Sequence, residues 1–327
     1  MIIVTGGAGL IGANMIWELN RRGMDDILVV DNIASTEKWK NLSHLRYSNY
    51  MHRSTFLEQL KSGKKLDGVE AVIHMGACSS TTERDADFLM ENNFHYTVEV
   101  CLAALEAGAR FITASSAATY GGGELGFSDS IDLMPRLLPL NMYGYSKKLF
   151  DMWCLRQGLL NEVVNLKFFN VYGPDEYHKG SMMSMVCRAV PQVKETGRIR
   201  LFRSGDPAYG DGESVRDFVY SKDCAALMCW FMENRSCNGI FNVGTGKARS
   251  WNDLAHAVFA AMDVAPDIEY FDMPEHLKGK YQYFTEADMS WMERENCPLR
   301  FRTLEEGVRD YVCNYLLKDD PYLCSIR

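Results

Sequence analysis

Ile2-Ile3-Val4-Thr5-Gly6-Gly7-Ala8-Gly9-Leu10-Ile11-Gly12 opens the chain as an apolar strand running into a glycine-rich turn. Gly7, Gly9 and Gly12 satisfy G-x-G-x-x-G directly after the strand and directly before a helical pattern from about Ala13 to Arg22. In that position the glycines allow a tight turn, close approach of backbone to a pyrophosphate, and packing of helix on strand at a positive helix end. A bare glycine triplet carries little weight; this placement predicts a dinucleotide site in an α/β, Rossmann-like, doubly wound parallel sheet. Gly6, Gly9 and Gly12 are candidate cofactor contacts.

A second strand, Ile27-Leu28-Val29-Val30, ends at Asp31, nineteen residues past Gly12. An acidic residue there suits the adenosine ribose hydroxyls and favours NAD. Asn32, Lys38 and Arg53 follow, and cations at that corner suit the 2′-phosphate of NADP. Spacing alone favours a solvated Lys38, and the residues leave NAD and NADP both open.

Strands and helices continue to alternate. A buried strand, Val69 to His74, leads into the small residues Met75-Gly76-Ala77-Cys78-Ser79. One long helix is predicted from about Asp85 to Glu106, with either Asn92 or Asn93 placed to bond backbone near the site. Arg110-Phe111-Ile112-Thr113-Ala114 gives way to Ser115-Ser116, and Ser116 is preferred as the donor to a substrate oxygen. After a loop from Gly121 to Leu140 comes Tyr143-Gly144-Tyr145-Ser146-Lys147. Tyrosine and lysine four apart share one helical face, and a nearby ammonium favours phenolate, which suits alcohol and ketone chemistry. A strand from Val163 to Phe169 ends in Asn170-Val171-Tyr172-Gly173-Pro174. Sites in such sheets sit at the C-terminal ends of the strands.

Beyond Pro174 the pattern loosens. A polar loop, Asp175 to Ser181, precedes a Met-rich helix from Met182 to Val193 whose methionines read as core filler. Further strands are predicted at Arg216–Tyr220 and Ile240–Gly244. The two lobes are expected to interleave, with residues 1–173 and about 214–245 holding the cofactor. Residues 174–213 and 246–327 are expected to form a smaller C-terminal substrate domain.

The chain has 327 residues, 47% hydrophobic and 24% charged, as in ordinary globular proteins. No apolar run is long enough to span a membrane. The start lacks a basic region before an apolar one, so no signal peptide is expected. Net charge is −8, with no run of Lys and Arg, which argues against nucleic acid and anionic membrane as partners. Ten scattered cysteines without a Cys-x-x-Cys pair read as reduced thiols of a cytoplasmic protein, and seven histidines show no metal-ligand spacing. No metal site is expected.

Taken together, the Thr5–Gly12 loop, Asp31, Ser116, Tyr143 with Lys147, and Asn170–Pro174 resemble the extended short-chain dehydrogenase/reductases of the nucleotide-sugar epimerase type. A closer resemblance is to the branch of that family that epimerises ADP-linked heptoses. It rests on Gly76–Glu83, Ala114–Gly121, Tyr143–Lys147, His178-Lys179-Gly180-Ser181 and Leu277-Lys278-Gly279. The resemblance implies NADP and an ADP-sugar, with C6 of a glycero-manno-heptose inverted for lipopolysaccharide inner core. It also implies a homopentamer, and two acid/base groups matching Tyr143 and Lys179. Matching cofactor positions are Leu10, Ile11, Asp31, Asn32, Lys38, Arg53, Met75, Gly76, Ala77, Cys78, Ser79, Asn92, Lys147, Val171 and Lys179. Matching substrate positions are Ser116, Asn170, Ser181, Phe202, Arg203, Ser204, Gly205, Arg216 and Tyr281. Arg188 is a further substrate candidate, although the chain departs from the branch there, where histidine is commoner, and in the Phe202–Gly205 stretch, which is followed by a longer loop.

Three other readings are separable. A 4,6-dehydratase would carry an Asp-Glu pair where Ala117 and Ala118 stand. A UDP-hexose 4-epimerase would not need the His178–Ser181 loop. A non-catalytic NADP sensor would have no reason to keep Tyr143 with Lys147.

Overall fold

In chain order the strands are β1 (Ile2–Thr5), β2 (Ile27–Asp31), β3 (Asn49–His52), β4 (Ala71–His74), β5 (Arg110–Ser116), β6 (Val163–Phe168), β7 (Asn170–Tyr172), β8 (Ile199–Phe202), β9 (Val215–Tyr220), β10 (Gly239–Val243), β11 (Ala248–Ser250) and β12 (Ile268–Phe271). The computed structural model describes residues 1–274 and 281–325. The Leu277-Lys278-Gly279 stretch lies outside the described residues. Seven strands form one sheet in the order β10-β6-β5-β4-β1-β2-β3, every neighbouring pair parallel. Strands β1, β2, β4, β6 and β10 are buried along their whole length, which is why they read as continuous apolar runs rather than alternating ones. Strand β3 escapes sequence reading because Asn49-Tyr50-Met51-His52 is short, polar and at the sheet edge.

The helices are α1 (Leu10–Arg21), α2 (Arg53–Lys61), α3 (Ala86–Leu89), α4 (Tyr96–Glu106), α5 (Met142–Gln157), α6 (Met185–Thr196), α7 (Ser221–Glu233), α8 (Trp251–Met262), α9 (Trp291–Arg294) and α10 (Leu304–Tyr311). Val4, Ile73, Ile112 and Leu166 point to one sheet face and pack with Ile16 of α1, Leu227 of α7 and the fully buried Trp291. Ile3, Val72 and Phe111 point to the other face and pack with Val100 of α4 and Phe150 of α5. This alternation at period two makes a three-layer α/β/α body.

A second core joins Val186, Leu201, Phe218, Phe259, Val308 and Tyr311. It lies beside a small sheet ordered β11-β9-β7 and the parallel pair β8–β12. The chain leaves the large sheet after β6, returns to it at β10, and leaves again. Strand β9 therefore belongs to the small sheet, although β10 belongs to the large one.

Two helices depart from their expected form. The Asp85–Glu106 helix is interrupted by a π turn, Met90–His95, between α3 and α4. The helix expected from Met182 begins at Met185, because the Ser184 hydroxyl accepts the Cys187 N–H at 3.2 Å and fixes the cap. Helix α5 starts where the Asn141 side chain accepts the Gly144 N–H at 2.8 Å, a cap worth about 1 kcal/mol. Gly144 itself is required by crowding: a Cβ there would lie 2.6 Å from the Ala118 carbonyl oxygen. This close approach brings α5 against the end of β5. No described helix is long and apolar enough to cross a membrane.

Candidate active site

The sheet order reverses between β1 and β4, and their two turns meet there, Gly6 against Gly76, with the Thr5 hydroxyl accepting the Gly76 N–H at 3.2 Å. Gly6 has φ of +64°, and a Cβ on it would lie 2.6 Å from the Gly76 nitrogen. A Cβ on Gly12 would lie 2.2 Å from the Gly6 carbonyl oxygen. Gly9 forms the N-terminal cap of α1 and supplies no side chain to bond its first N–H groups. A cavity of about 830 Å³ opens above this turn, along the C-terminal ends of β1, β2, β4, β5 and β6. The exposed N-terminal end of α1 and the backbone-lined floor fit the pyrophosphate of a dinucleotide.

Every residue named above for the cofactor lines this cavity, from Gly6 and Gly9 through Asp31, Lys38 and Arg53 to Met75–Ser79, Asn92, Lys147, Val171 and Lys179. One Asp31 oxygen accepts the Ala8 N–H at 2.8 Å. The other accepts the Asn32 N–H at 2.6 Å and the Lys38 ammonium at 2.6 Å. Lys38 is thus drawn onto the ribose corner, which corrects its reading as a solvated lysine.

At the other end, Ser116, Tyr143, Lys147 and Asn170 line the same cavity. Ser116 acts on the neighbouring Tyr143 phenol in the direction that favours phenolate. Burial is the larger effect and raises the Tyr143 phenol above its ordinary value. Lys147 donates to the Ala114 carbonyl at 2.7 Å and is itself pushed down by burial to about 8. The expectation that the Lys147 ammonium depresses the phenol is corrected: burial wins, and Ser116 is what opposes it. Ser115 is turned away, its hydroxyl donating to Asp151 at 2.7 Å.

Asn93, not Asn92, holds the backbone beside the site. Its amide oxygen accepts the Cys78 N–H at 2.8 Å, and its NH₂ donates to the Cys78 carbonyl at 2.9 Å and to Ser146 at 3.1 Å. The π turn presents both asparagines inward, as such turns often do at sites. Two adjacent amides within an apolar helical pattern were the available signal.

Lys179 is half-buried in a 3₁₀ turn, Tyr177–Met182, and enters the cavity with His178, Met182 and Met183. Met182 faces the site, Met183 both lines the cavity and packs against the second core, and Met185 is buried in that core as expected. Buried Asn41, which the sequence did not single out, ties this segment down by donating to the Ala8 and Asp175 carbonyls, each at 2.8 Å. The His178 imidazole is pushed down to about 4 by burial and by Lys38 and Lys179, and is neutral at ordinary pH.

The expected substrate residues divide. Asn170, Arg188 and Ser116 line the cavity; Ser181, Phe202, Arg203, Ser204, Gly205, Arg216 and Tyr281 do not. Ser181 is exposed at the end of its turn. Ser204 is held within its own loop, donating its N–H to Asp211 at 2.9 Å and its hydroxyl to the Asp206 carbonyl at 2.7 Å. The Arg216 guanidinium is buried, donates to the Val215 and Gln282 carbonyls, and lies 5.0 Å over the Tyr281 ring and 5.9 Å over Trp251. Trp251 does line the cavity. Among the described residues no cluster of three or more His, Cys, Asp or Glu side chains has metal-holding geometry.

The fold and this site define a nucleotide-sugar short-chain dehydrogenase/reductase with a nicotinamide cofactor site. Residues 2–244 match the NAD dependent epimerase/dehydratase family, and the chain belongs to it. It is 59% identical over 323 residues to the ADP-L-glycero-D-manno-heptose-6-epimerase of Nitratidesulfovibrio vulgaris strain DP4, covering 99% of this chain and all of the relative. It is 48% identical to the enzyme of the same name from Fusobacterium nucleatum, again over 99% of this chain and all of the relative. The crystal structure of the Helicobacter pylori ADP-L-glycero-D-manno-heptose-6-epimerase superposes with a TM-score of 0.80 at 25% identity, over 96% of this chain and 95% of that one. A dTDP-glucose 4,6-dehydratase from Bacillus anthracis in complex with NAD shares the fold, with a TM-score of 0.78 at 20% identity, over 98% of each chain. The chain is an enzyme of the epimerase class.

The crowding at the glycine turn sets an expected outcome. Gly12→Ala forces the turn apart, and the purified protein is expected to lose bound cofactor about tenfold or more. Ultraviolet absorbance of the desalted protein, with a fluorescence titration of added NADPH, measures it.

Proposed function

We propose that the protein inverts C6 of the heptose in ADP-D-glycero-D-manno-heptose to give the L-glycero epimer, by transient oxidation and re-reduction at that carbon. The observation that carries this reading is the presence of two proton-handling side chains, Tyr143 and Lys179, in one cavity but on separate elements. Inverting a carbinol carbon needs a proton acceptor and donor for each of the two faces presented. The full-length identity to heptose epimerases supports the choice of sugar.

A bound nicotinamide supplies hydride acceptance and return, and its positive charge favours the phenolate. Tyr143 holds and releases the proton of the 6-hydroxyl at its own oxygen, and Ser116 orients the same substrate oxygen. Lys147 holds the nicotinamide ribose hydroxyls. Lys179 gives and takes the proton when the sugar presents its other face. Asn170 and Arg188 orient the sugar nucleotide. The body built on the seven-stranded sheet serves the cofactor, and the lobe built on the second core serves the substrate. The product feeds lipopolysaccharide core synthesis in the cytoplasm, and the working form is a homo-oligomer.

The cofactor in this reading is NADP. Asp31 is already engaged by Ala8, Asn32 and Lys38, whereas Lys38 and Arg53 line the same corner as cations. A 2′-phosphate satisfies both. Mass spectrometry of the released cofactor is expected to find NADP in excess, and NAD alone would overturn the assignment.

Tyr143→Phe removes the titrating proton with little change of shape and is expected to lower turnover roughly 10²-fold or more. Lys179→Ala is expected to be comparably damaging while cofactor stays bound. Near-normal turnover of Lys179→Ala with the two heptose epimers would remove that residue from the reaction.

Direct oxidation at C6 also differs from deprotonation beside a carbonyl in what solvent exchanges. The ADP-heptose product formed in D₂O is expected to carry no deuterium at C6 by NMR, with no net NADPH accumulating. Deuterium at that carbon, or turnover only with UDP-hexoses, would replace this mechanism or this substrate.

A further inference from the structure

Beneath Tyr143 and Lys147 lies a buried ion pair that the reaction scheme above does not use. Asp151 follows Lys147 by one turn on α5, and its side chain is wholly buried. Its carboxylate accepts the Ser115 hydroxyl at 2.7 Å, the Lys167 ammonium at 2.9 Å and the Asn165 amide at 3.1 Å. These three donors come from β5 and β6, so the carboxylate bolts α5 to the ends of the two strands that carry the site. Lys167, 1% exposed, also donates to the Thr119 hydroxyl at 2.7 Å and sits 5.0 Å over the Tyr120 ring. Thr119 in turn donates to the Ser116 carbonyl at 2.8 Å. The backbone on both sides of the Ser116 side chain is therefore held by one carboxylate and its counter-ion.

The pair is not an economical way to stabilise a core. Buried charges lose hydration that their mutual attraction repays only with complete hydrogen bonding. Here both carboxylate oxygens accept hydrogen bonds; the donor Ser115 adjoins Ser116 in the chain, and Asp151 itself lies one helical turn from Lys147.

We propose that Asp151 is a positioning residue for the proton-handling site: with Lys167 as counter-ion it fixes Ser116 and Lys147, and it keeps the buried Lys147 ammonium charged. The proposal rests on the reading of Tyr143, Ser116 and Lys147 given above. The groups around Lys147 are Asp151 and Tyr143 on its own helix, His74 on β4, the Cys78 thiol after β4, and Lys167 on β6. His74 is fully buried between the Thr5 and Thr97 hydroxyls, at 2.7 and 3.0 Å, and is pushed down to about 3, so it brings no charge. Lys167 depresses the neighbouring Lys148 rather than Lys147. Asp151 is the foremost charge opposing the burial that brings Lys147 to about 8. Because the ammonium is lost as pH rises through that value, removing the carboxylate moves the loss to lower pH.

The test follows the Lys147 side chain itself. In protein labelled with ¹³C at lysine Cε, with cofactor bound and the signal assigned by its absence in Lys147→Met, the Lys147 titration is expected at least about one pH unit lower in Asp151→Asn. The alkaline limb of kcat should move by the same amount, with KM little changed. Since Asp151→Asn strands Lys167, the double variant Asp151→Asn/Lys167→Met serves as the second test and is expected to show the same displacement with better thermal stability. A merely structural role for Asp151 would lower thermal stability and leave the Lys147 titration in place, and that result in both variants overturns the proposal. If the Lys147 signal moves but the kcat limb does not, the electrostatic hold of Asp151 on Lys147 stands and the role given to Lys147 in turnover falls.

Discussion

No Cβ fits on Gly6 or Gly12 where the turn after β1 closes on itself and on the turn after β4, and the rest of the site depends on that exclusion. With Gly6 against Gly76 and Gly12 against the Gly6 carbonyl, the two turns touch backbone to backbone where the strand order reverses. The crevice that must open at such a reversal is therefore floored by N–H groups instead of side chains. Ala8 stands at the centre of the turn, its N–H given to Asp31 and its carbonyl to Asn41. Through Asn41 the same turn holds Asp175 and His178, and so the segment that carries Lys179. One steric constraint thus sets the adenosine corner, the pyrophosphate floor and the position of the second proton-handling group.

Desolvation sets the chemistry above that floor. Tyr143 and Lys147 both resist carrying charge when buried, the phenol pushed up and the ammonium pushed down to about 8. The two shifts push apart a phenol and an ammonium that differ little in water, and both favour the neutral form. Ser116 opposes burial at the phenol and the charge of Asp151 opposes it at the ammonium, so these two neighbours decide how far each group can carry charge. His74 and His178, both held neutral by burial, add no competing charge at the site.

What was legible in the sequence was whatever local spacing encodes. The glycine turn, Asp31 at the end of β2, and Tyr143 with Lys147 on one helical face all follow from neighbours within a few residues. The fold class follows from strands that are buried on both faces and so read as apolar runs. The illegible parts depend on contacts between distant segments. Asn41 matters because residues 134 and 137 positions later come to lie on it. Asn93 takes precedence over Asn92 only because a π turn shifts the register of the helix. Lys167 reads as an ordinary strand residue until β6 brings it to Asp151. Lys38 was read as solvated because spacing along the chain does not show that the 3₁₀ turn beyond β2 folds back over Asp31.

The substrate side illustrates the same division from the opposite direction. The cofactor half is built on strand ends, whose positions the sheet dictates, and all of its expected residues meet in one cavity. The Phe202–Gly205 stretch follows β8 of the two-stranded pair, and the loop beyond it is closed by its own Ser204, Asp206 and Asp211. Arg216 gives its donors to backbone carbonyls and reaches the cavity only through Trp251, the ring on which it stacks. A guanidinium held that way acts on whatever enters the cavity by fixing an aromatic wall, not by direct ion pairing. The expected cofactor residues thus gather mostly at strand ends of the large sheet, whereas the Phe202–Gly205 stretch and Arg216 lie on or beside strands outside it, where the chain also departs most from the heptose epimerase pattern.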